Sequence, residues 1–375
     1  MNKVSLYFLM AVISLGGFSA CDDSESEESN DGYGADFTGT LAAYVDNTVV
    51  PTYADMKDKA ILLFEAVEEL SGSKTDANVE KVCEAWRTTR VPWEQSEAFL
   101  YGPAAIQNLD PLIDSWPLDQ SSIEGVLSGN STIIGENLGE AVRGFHTIEY
   151  LVFLNSHPRK AAEITDRQME YLSVVTETLR NDCFKLWISW HGSKGISESD
   201  QELLDEIEFE VEENGYGWEF KQAGERGSRY LSQDLAIDAI ISGCITIAEE
   251  VGAQKIGGPN ATAKEGNLEK AVLDVESWYS WNSIDDYANN IVSIDNSYMG
   301  GPENNRGTSL SDYVKGRDPL LDTEVKNAIK NAYQAIKSME YPFRNHLTGA
   351  AVDNAINSCA SLSESLRKIK ALKNQ

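Results

Sequence analysis

Basic residues are scarce in this sequence relative to acidic ones. The chain of 375 residues contains 31 lysines and arginines against 60 aspartates and glutamates, which gives a formal net charge of −29. A nucleic-acid partner requires a basic patch that faces the phosphates, and no cluster of lysines and arginines stands out. The composition therefore argues against nucleic-acid binding and suits cationic partners such as metal ions. With 42% hydrophobic and 24% charged residues, the chain can form one large or two medium folded domains.

Cysteine and histidine are also rare. The chain has 5 cysteines and 4 histidines. Because they form neither a CxxC pair nor an HExxH motif, the sequence argues against a cysteine-based metal site and lacks the zincin motif of metalloproteases. We expect buried free thiols at the four later cysteines, with one long-range disulfide as the alternative in an oxidising compartment. These cysteines are Cys83, Cys183, Cys244 and Cys359.

The first residues have the composition of a targeting segment. Lys3 precedes an apolar run that ends in the small residues Ser19 and Ala20, so residues 1–20 predict a signal peptide. An uncleaved N-terminal anchor is the alternative. The sequence from Phe18 to Cys21 resembles a lipobox, which would make Cys21 the lipidated first residue of a bacterial lipoprotein.

An acidic linker follows over residues 21–36, with seven acidic and no basic side chains. A segment with one sign of charge and few apolar residues stays extended. The segment also resembles the surface-export signal of Bacteroidetes lipoproteins. We therefore expect a protein of the bacterial cell envelope that is lipid-anchored to the outer membrane, on either of its faces.

Apolar residues recur at steps of three and four along most of the remaining chain, which predicts helices. Tyr53, Met56, Ala60 and Leu63 are one example, and Thr75 is a predicted cap for the next helix. Further helices are predicted at about 139–154, 160–190, 231–254, 265–278, 282–294, 322–339 and 342–372. No stretch alternates convincingly with a period of two, so the predicted fold class is all-α.

A glycine-rich stretch at 212–229 predicts a boundary between two helical halves. It is poor in apolar periodicity and contains Gly215, Gly217, Gly224 and Gly227. We expect two four-helix-bundle-like halves packed against each other, at 37–213 and 225–375. One continuous helical domain is the alternative.

One motif in the first half can carry chemistry. His146 and Glu149 are three residues apart, so on a helix they share one face. An imidazole and a carboxylate at this spacing can bind a metal ion or act as an oriented base, although a complete site requires donors from other helices. Gly144 is expected inside the same helix, where it permits close approach of another chain segment or a ligand. The alternative is a buried histidine hydrogen-bonded to Glu149.

The hexamer from Gly144 to Glu149 resembles the GxHxxE motif of imelysin-like proteins. Further segments are similar to this family in the same order, from about residue 37 to the C-terminus; they are Trp86–Phe99, Tyr101–Pro103, Asp114–Pro117 and Ser280–Ser283 with Asp286. The resemblance implies an all-α fold of two bundle-like halves, a site near their interface that contains His146 and Glu149, and a bacterial envelope protein linked to iron acquisition. The family is also classed among metallopeptidases.

The expected ligand is a divalent metal ion, iron or zinc, or an iron-containing group in a cleft between the halves. The expected metal donors are His146, Glu149, Glu97 and Asp114. The residues expected around the ligand are Gly144, Arg90, Ser283 and Asp286. For Arg90 we expect a carboxylate partner rather than a phosphate.

Two other functions are left open at this point. A metallopeptidase would use Glu149 and His146 as its catalytic pair. A non-catalytic partner of an outer-membrane iron transporter would use the same helix face for recognition. The sequence does not decide whether the protein is an enzyme, but it leans against one, because one HxxE and few histidines do not make a complete hydrolytic metal site.

Overall fold

The computed structural model describes residues 35–373, and helices make up most of this range. The predicted signal peptide, Cys21 and nearly all of the acidic linker lie outside the described residues. The helices of the first half are α1 (Thr38–Ala43), α2 (Val50–Gly72), α3 (Asp76–Glu94), α4 (Pro103–Ile106), α5 (Asp110–Ile113), α6 (Gln120–Ser128), α7 (Gly144–Val152), α8 (Asp166–His191) and α9 (Glu198–Glu206).

The second half is helical as well. Its helices are α10 (Tyr216–Lys221), α11 (Gln233–Glu249), α12 (Gly257–Lys264), α13 (Leu268–Leu273), α14 (Ser283–Met299), α15 (Leu310–Arg317), α16 (Pro319–Lys337) and α17 (Ala350–Lys373). Two π-helical segments, Tyr44–Val49 and Glu250–Ile256, join α1 to α2 and α11 to α12. Short 3-10 turns lie at Glu97–Phe99, Gly135–Asn137, Glu140–Val142, Ala161–Glu163 and Phe343–Asn345.

The long helices pack in two groups. In the first group α2 contacts α3 and α8, and α7 contacts α3 and α8; in the second α17 contacts α11 and α16, and α14 contacts α11 and α16. The groups meet where α3 packs on α14, and from Asp36 onward the chain makes one compact unit. Within the described range, β structure is limited to the two-residue strands β1 (Phe153–Leu154) and β2 (His157–Pro158), which pair antiparallel. The all-α prediction is confirmed, while the domain bounds stay a prediction.

The buried faces follow the predicted periodicity. The apolar residues Tyr53, Met56, Ala60 and Leu63 of α2 are all buried, and Thr75 caps α3 by accepting from the backbone nitrogen of Asn78. Burying a large apolar side chain such as Met56 or Leu63 stabilises the fold by about 1.5–3 kcal/mol before entropy is subtracted.

Several predicted helix ends are wrong. The last helix begins at Ala350 rather than near 342, because a 3-10 turn and Gly349, with φ of +123°, come before it. The helix predicted at 265–278 ends at Leu273, because the chain turns at Ser277 and Trp281, where φ is +53° and +63°.

The four later cysteines are buried free thiols, as predicted. They are Cys83, Cys183, Cys244 and Cys359. Among the described residues no helix is both long and apolar enough to cross a bilayer.

Candidate metal centre

Two chain segments touch where Asp114 and His146 approach each other. Gly144 begins α7 with φ of +78°, and a Cβ atom placed on it would lie 2.3 Å from the carbonyl oxygen of Ile113. Only glycine fits such a close approach of two backbones. Asp114 follows Ile113 directly, and Trp93 fixes its side chain by donating Nε1 to Oδ2 at 2.6 Å. The expectation that Gly144 lies inside the helix is wrong, since α7 starts at this residue.

The imidazole of His146 is fully buried between carboxylates. Its Nδ1 is hydrogen-bonded to Oε2 of Glu149 at 2.9 Å. Its Nε2 lies 2.9 Å from Oδ1 of Asp114 and 3.8 Å from Oε1 of Glu276, but no described residue gives it a hydrogen bond of good geometry. The edge of His146 also meets the ring of Trp116, with centroids 4.7 Å apart. A buried ring nitrogen thus faces two carboxylates without a directed partner.

Both oxygens of Glu149 are engaged. Oε2 contacts His146, while Oε1 accepts hydrogen bonds from the backbone nitrogen and the hydroxyl of Ser280, each at 2.7 Å. A carboxylate that holds one ring nitrogen of a histidine fixes the orientation of the ring and the role of its other nitrogen. Glu149 therefore aims Nε2 of His146 at Asp114 and Glu276.

Arg90 is the cation nearest to these carboxylates. It is fully buried on α3 and donates Nη1 to Oδ1 of Asp114 at 2.6 Å. Its Nη2 donates to Glu94, to Glu276 at 3.2 Å and to Asp286 at 3.4 Å. The expected carboxylate partner of Arg90 is therefore present, and the guanidinium ties α3 to the second helical group.

Lys255 supplies a second buried cation from the π-helical segment Glu250–Ile256. Its Nζ lies 3.2 Å from Oε1 of Glu97, 3.2 Å from Oε2 of Glu276 and 4.0 Å from Oε2 of Glu94. Burial alone would lower the pKa of Lys255, but the charges of Glu276 and Glu97 raise it well above its usual value. The lysine therefore carries a positive charge at neutral pH.

Buried carboxyl groups outnumber the fixed cations around His146. The carboxyl groups are Glu94, Glu97, Asp114, Glu149, Glu276 and Asp286, and the fixed cations are Arg90 and Lys255. Burial raises the pKa of Glu94 to about 8 and that of Glu97 well above its usual value, because the nearby cations offset only part of the desolvation. The cluster thus has more acid groups than its own cations can neutralise.

Asp114 and Glu276 are the acids that stay charged beside His146. Burial alone would raise both pKa values, but Lys255 and His146 lower the pKa of Glu276 to about 2, and Arg90 and His146 lower that of Asp114. For His146 burial alone would lower the pKa, and the charge of Asp114 raises it well above 6.5. This half of the cluster consequently attracts a positive charge at Nε2, from a proton or from a metal ion.

The predicted site residues lie in or around this cluster. His146, Asp114 and Glu149 are in direct contact, whereas Glu97 lies against Lys255. Asp286 contacts Arg90 as described above, and the hydroxyl of Ser283 donates to the backbone oxygen of Glu276.

Sequence reasoning missed four members of the cluster. Glu94 and Ser280 lie inside the segments that resemble the imelysin family, but nothing in the sequence suggested a role for either residue. Glu276 lies outside those segments, four residues before Ser280, and no sequence pattern marks Lys255 as a site residue. Asp114, His146 and Glu276 each offer one ligand atom, and these atoms lie within 4.8 Å of one another.

Comparison with known proteins identifies related chains. The family described as Imelysin, Peptidase M75, matches residues 49–369. "Iron-regulated protein A" of Synechococcus elongatus is 27% identical over 356 residues, which cover 94% of this chain and 88% of that protein.

Two solved structures are similar as well. The crystal structure of an iron-regulated protein A precursor from Parabacteroides distasonis has 34% identity and a TM-score of 0.80, covering 91% of this chain and 97% of the other. The crystal structure of an imelysin-like protein from Psychrobacter arcticum has 13% identity and a TM-score of 0.59, covering 88% and 91%, and shows similarity of fold alone.

Proposed function

The chain belongs to the imelysin family, and on that premise we propose that it binds a divalent metal ion, iron or zinc, at His146, Asp114 and Glu276. The observation that carries the proposal is the buried Nε2 of His146, which faces two charged carboxylates without a directed hydrogen bond. One imidazole and two carboxylates form a donor set that suits iron and zinc.

The donor set fits a cation for a second reason. Nε2 of His146 lies 2.9 Å from Asp114 but makes no well-directed hydrogen bond, so it keeps only part of the energy of a buried hydrogen bond, and the acidic cluster has an excess of carboxyl groups. A bound divalent ion would relieve both conditions, and it would supply Lewis acidity at the centre. The proposal keeps His146 and Asp114 as donors and adds Glu276. Glu149 serves to position His146, and Glu97 stays a secondary donor because Lys255 holds it.

We place this activity in iron acquisition at the bacterial cell envelope. The Synechococcus and Parabacteroides relatives are both described as iron-regulated, and the latter as a precursor. That description agrees with the proposed signal peptide at 1–20, the lipid anchor at Cys21 and attachment to the outer membrane.

Calorimetric titration of the untagged full chain in detergent tests the metal site. We expect wild type to bind one Zn²⁺, or one Fe²⁺ under anaerobic conditions. His146→Gln should bind at least about tenfold more weakly, because it removes the nitrogen donor. His157→Gln is the matched control, since His157 is exposed on the short strand β2. Absence of binding by wild type, or equal binding by His146→Gln, would reject the site.

The metallopeptidase alternative lacks a supporting observation in the described residues. His146 and Glu149 are fully buried, and both oxygens of the supposed base, Glu149, are engaged. Chelator-sensitive cleavage of an unfolded peptide by the metal-loaded chain, lost in Glu149→Gln, would contradict this conclusion.

The transporter-partner alternative is compatible with metal binding, and capture of a transporter from envelope extracts by wild type but not by His146→Gln would support it.

A further inference from the structure

A second set of acids borders the proposed metal site and shares one residue with it. Glu94, Glu97 and Asp114 each offer an oxygen, and these three atoms lie within 4.8 Å of one another. Asp114 belongs to both sets, so a single carboxylate lies between two places where donors converge. Paired cation sites bridged by a carboxylate have this arrangement.

A cation of the protein itself already lies in the second set. Nζ of Lys255 is 3.2 Å from Glu97 and 4.0 Å from Glu94, and it also reaches Glu276 of the first set at 3.2 Å. The ammonium group comes from a π-helical segment, and such irregular turns redirect side chains and are frequent at functional sites. The lysine side chain is 10% exposed, so the charge is held inside the protein.

Two buried polar side chains in contact with Glu94 or Lys255 have incomplete hydrogen bonding. Asn290 is fully buried and donates its Nδ2 to Glu94, while its Oδ1 has no hydrogen-bond partner among the described residues. Oε2 of Glu276 accepts no directed hydrogen bond and lies 3.2 Å from the ammonium of Lys255, which is its ion-pair partner. The lysine thus occupies the position that a cation would take beside these oxygens.

We propose that the ammonium of Lys255 is a built-in cation that fills the second half of a two-cation site and limits the centre to one exchangeable metal ion. The inference rests on the proposed metal site and adds a reason for its stoichiometry. If the ammonium of Lys255 is removed, its position loses one positive charge and is left with three oxygen donors around it, from Glu94, Glu97 and Asp114. A second divalent ion can then bind there, bridged to the first through Asp114.

Metal counting by equilibrium dialysis and elemental analysis tests this assignment on the full chain with Zn²⁺. We expect one ion in wild type and two in Lys255→Met, which keeps the length of the side chain and removes its charge. Lys255→Met combined with Glu97→Gln should return to one ion. With Mn²⁺ the two-ion variant should give an exchange-coupled electron paramagnetic resonance spectrum, which wild type lacks.

Lys57→Met is the matched control, because Lys57 is also a buried lysine that pairs with acids, Asp200 at 2.7 Å and Asp58 at 3.0 Å, away from this centre. It should keep one ion. Two ions in wild type overturn the inference whether or not the variants fold, and so does a single ion in a folded Lys255→Met, since the proposed metal site would then stand alone. No ion in wild type would reject the proposed function together with the inference that depends on it, whatever Lys255→Met binds.

Discussion

Replacing Gly144 by alanine should destabilise the protein more than the same replacement at Gly195, although the two glycines have nearly the same φ angle. Their φ angles are +78° and +77°, a region that costs an alanine about 1–2 kcal/mol. Their surroundings differ. A Cβ atom on Gly144 would lie 2.3 Å from the carbonyl oxygen of Ile113, whereas nothing lies within 4 Å of one on Gly195.

The overlap at Gly144 involves backbone atoms, so it is relieved only if the chain at Ile113 moves away from α7. Forced overpacking of this kind costs about 1–3 kcal/mol. We therefore expect the free energy of unfolding to fall by about 1–2 kcal/mol in Gly195→Ala and by about 2–5 kcal/mol in Gly144→Ala. Urea denaturation followed by circular dichroism measures both values. Equal losses would refute the argument that close approach at Ile113 dictates the glycine.

The same displacement should weaken metal binding. Asp114 follows Ile113, and His146 comes two residues after Gly144, so separating the two segments lengthens the distance of 2.9 Å between Oδ1 of Asp114 and Nε2 of His146. Zn²⁺ titration should show a lower affinity in Gly144→Ala and wild-type affinity in Gly195→Ala. If Gly144→Ala binds Zn²⁺ as wild type does, this contact is not needed for the metal site.

Three further outcomes are expected. Arg90→Met leaves buried carboxylates without their cation and should lower the free energy of unfolding by about 3–5 kcal/mol in urea titrations, so a loss below about 1 kcal/mol would contradict its central role. Ser280→Ala removes one of the two hydrogen bonds that Ser280 donates to Glu149, which should cost about 1.5–3 kcal/mol in the same assay and reduce Zn²⁺ affinity less than His146→Gln does. Burial alone would raise the pKa of Asp200, but the hydrogen bonds from Lys57 and Ser197 lower it. Its contribution to stability is therefore present above its unfolded pKa of about 3.9 and is lost as the pH falls below that value. The stability difference between wild type and Asp200→Asn should hold at about pH 6 and shrink at about pH 3, and a difference that does not change with pH would contradict this ion-pair role.

Local periodicity predicted the helices well but not all of their ends. An amphipathic pattern reports which face of a helix is buried, as in α2, and it carries no information on where tertiary contacts force a turn. Ser277 and Trp281 adopt positive φ without being glycine. Their residue types therefore did not predict a turn after Leu273, where the helix ends. Gly349 did carry such a signal, since glycine is frequent where φ is positive.

The site was predictable to the extent that its residues lie within recognisable segments. His146 and Glu149 follow from one helical step, and Asp114 and Arg90 from neighbouring segments of the resemblance. Glu276 and Lys255 lie far from these in sequence, and a single glutamate or lysine has no distinguishing pattern. Lys255 was hard to predict for a second reason, because it lies in a π-helical segment. The wider turn of a π-helix points the lysine side chain in a different direction from the one that a period of 3.6 residues predicts.

Because the acidic cluster lies between the two helical groups, its excess of carboxyl groups affects how the groups pack together. His146 lies on α7 of the first group and Asp114 in the same half of the chain, whereas Lys255 and Glu276 lie in the second half. Repulsion among buried carboxylates opposes the packing of α3 on α14, and each cation in the cluster offsets part of this repulsion. A ligand that binds only the folded protein stabilises it by an amount that rises with the logarithm of the ligand concentration divided by its Kd, so a metal ion at His146 would stabilise the association of the two groups as well as its own site. On the proposed metal site, the fixed cations Arg90 and Lys255 would offset part of the repulsion in the absence of metal, and the acids that they leave unneutralised would provide the affinity for one more cation.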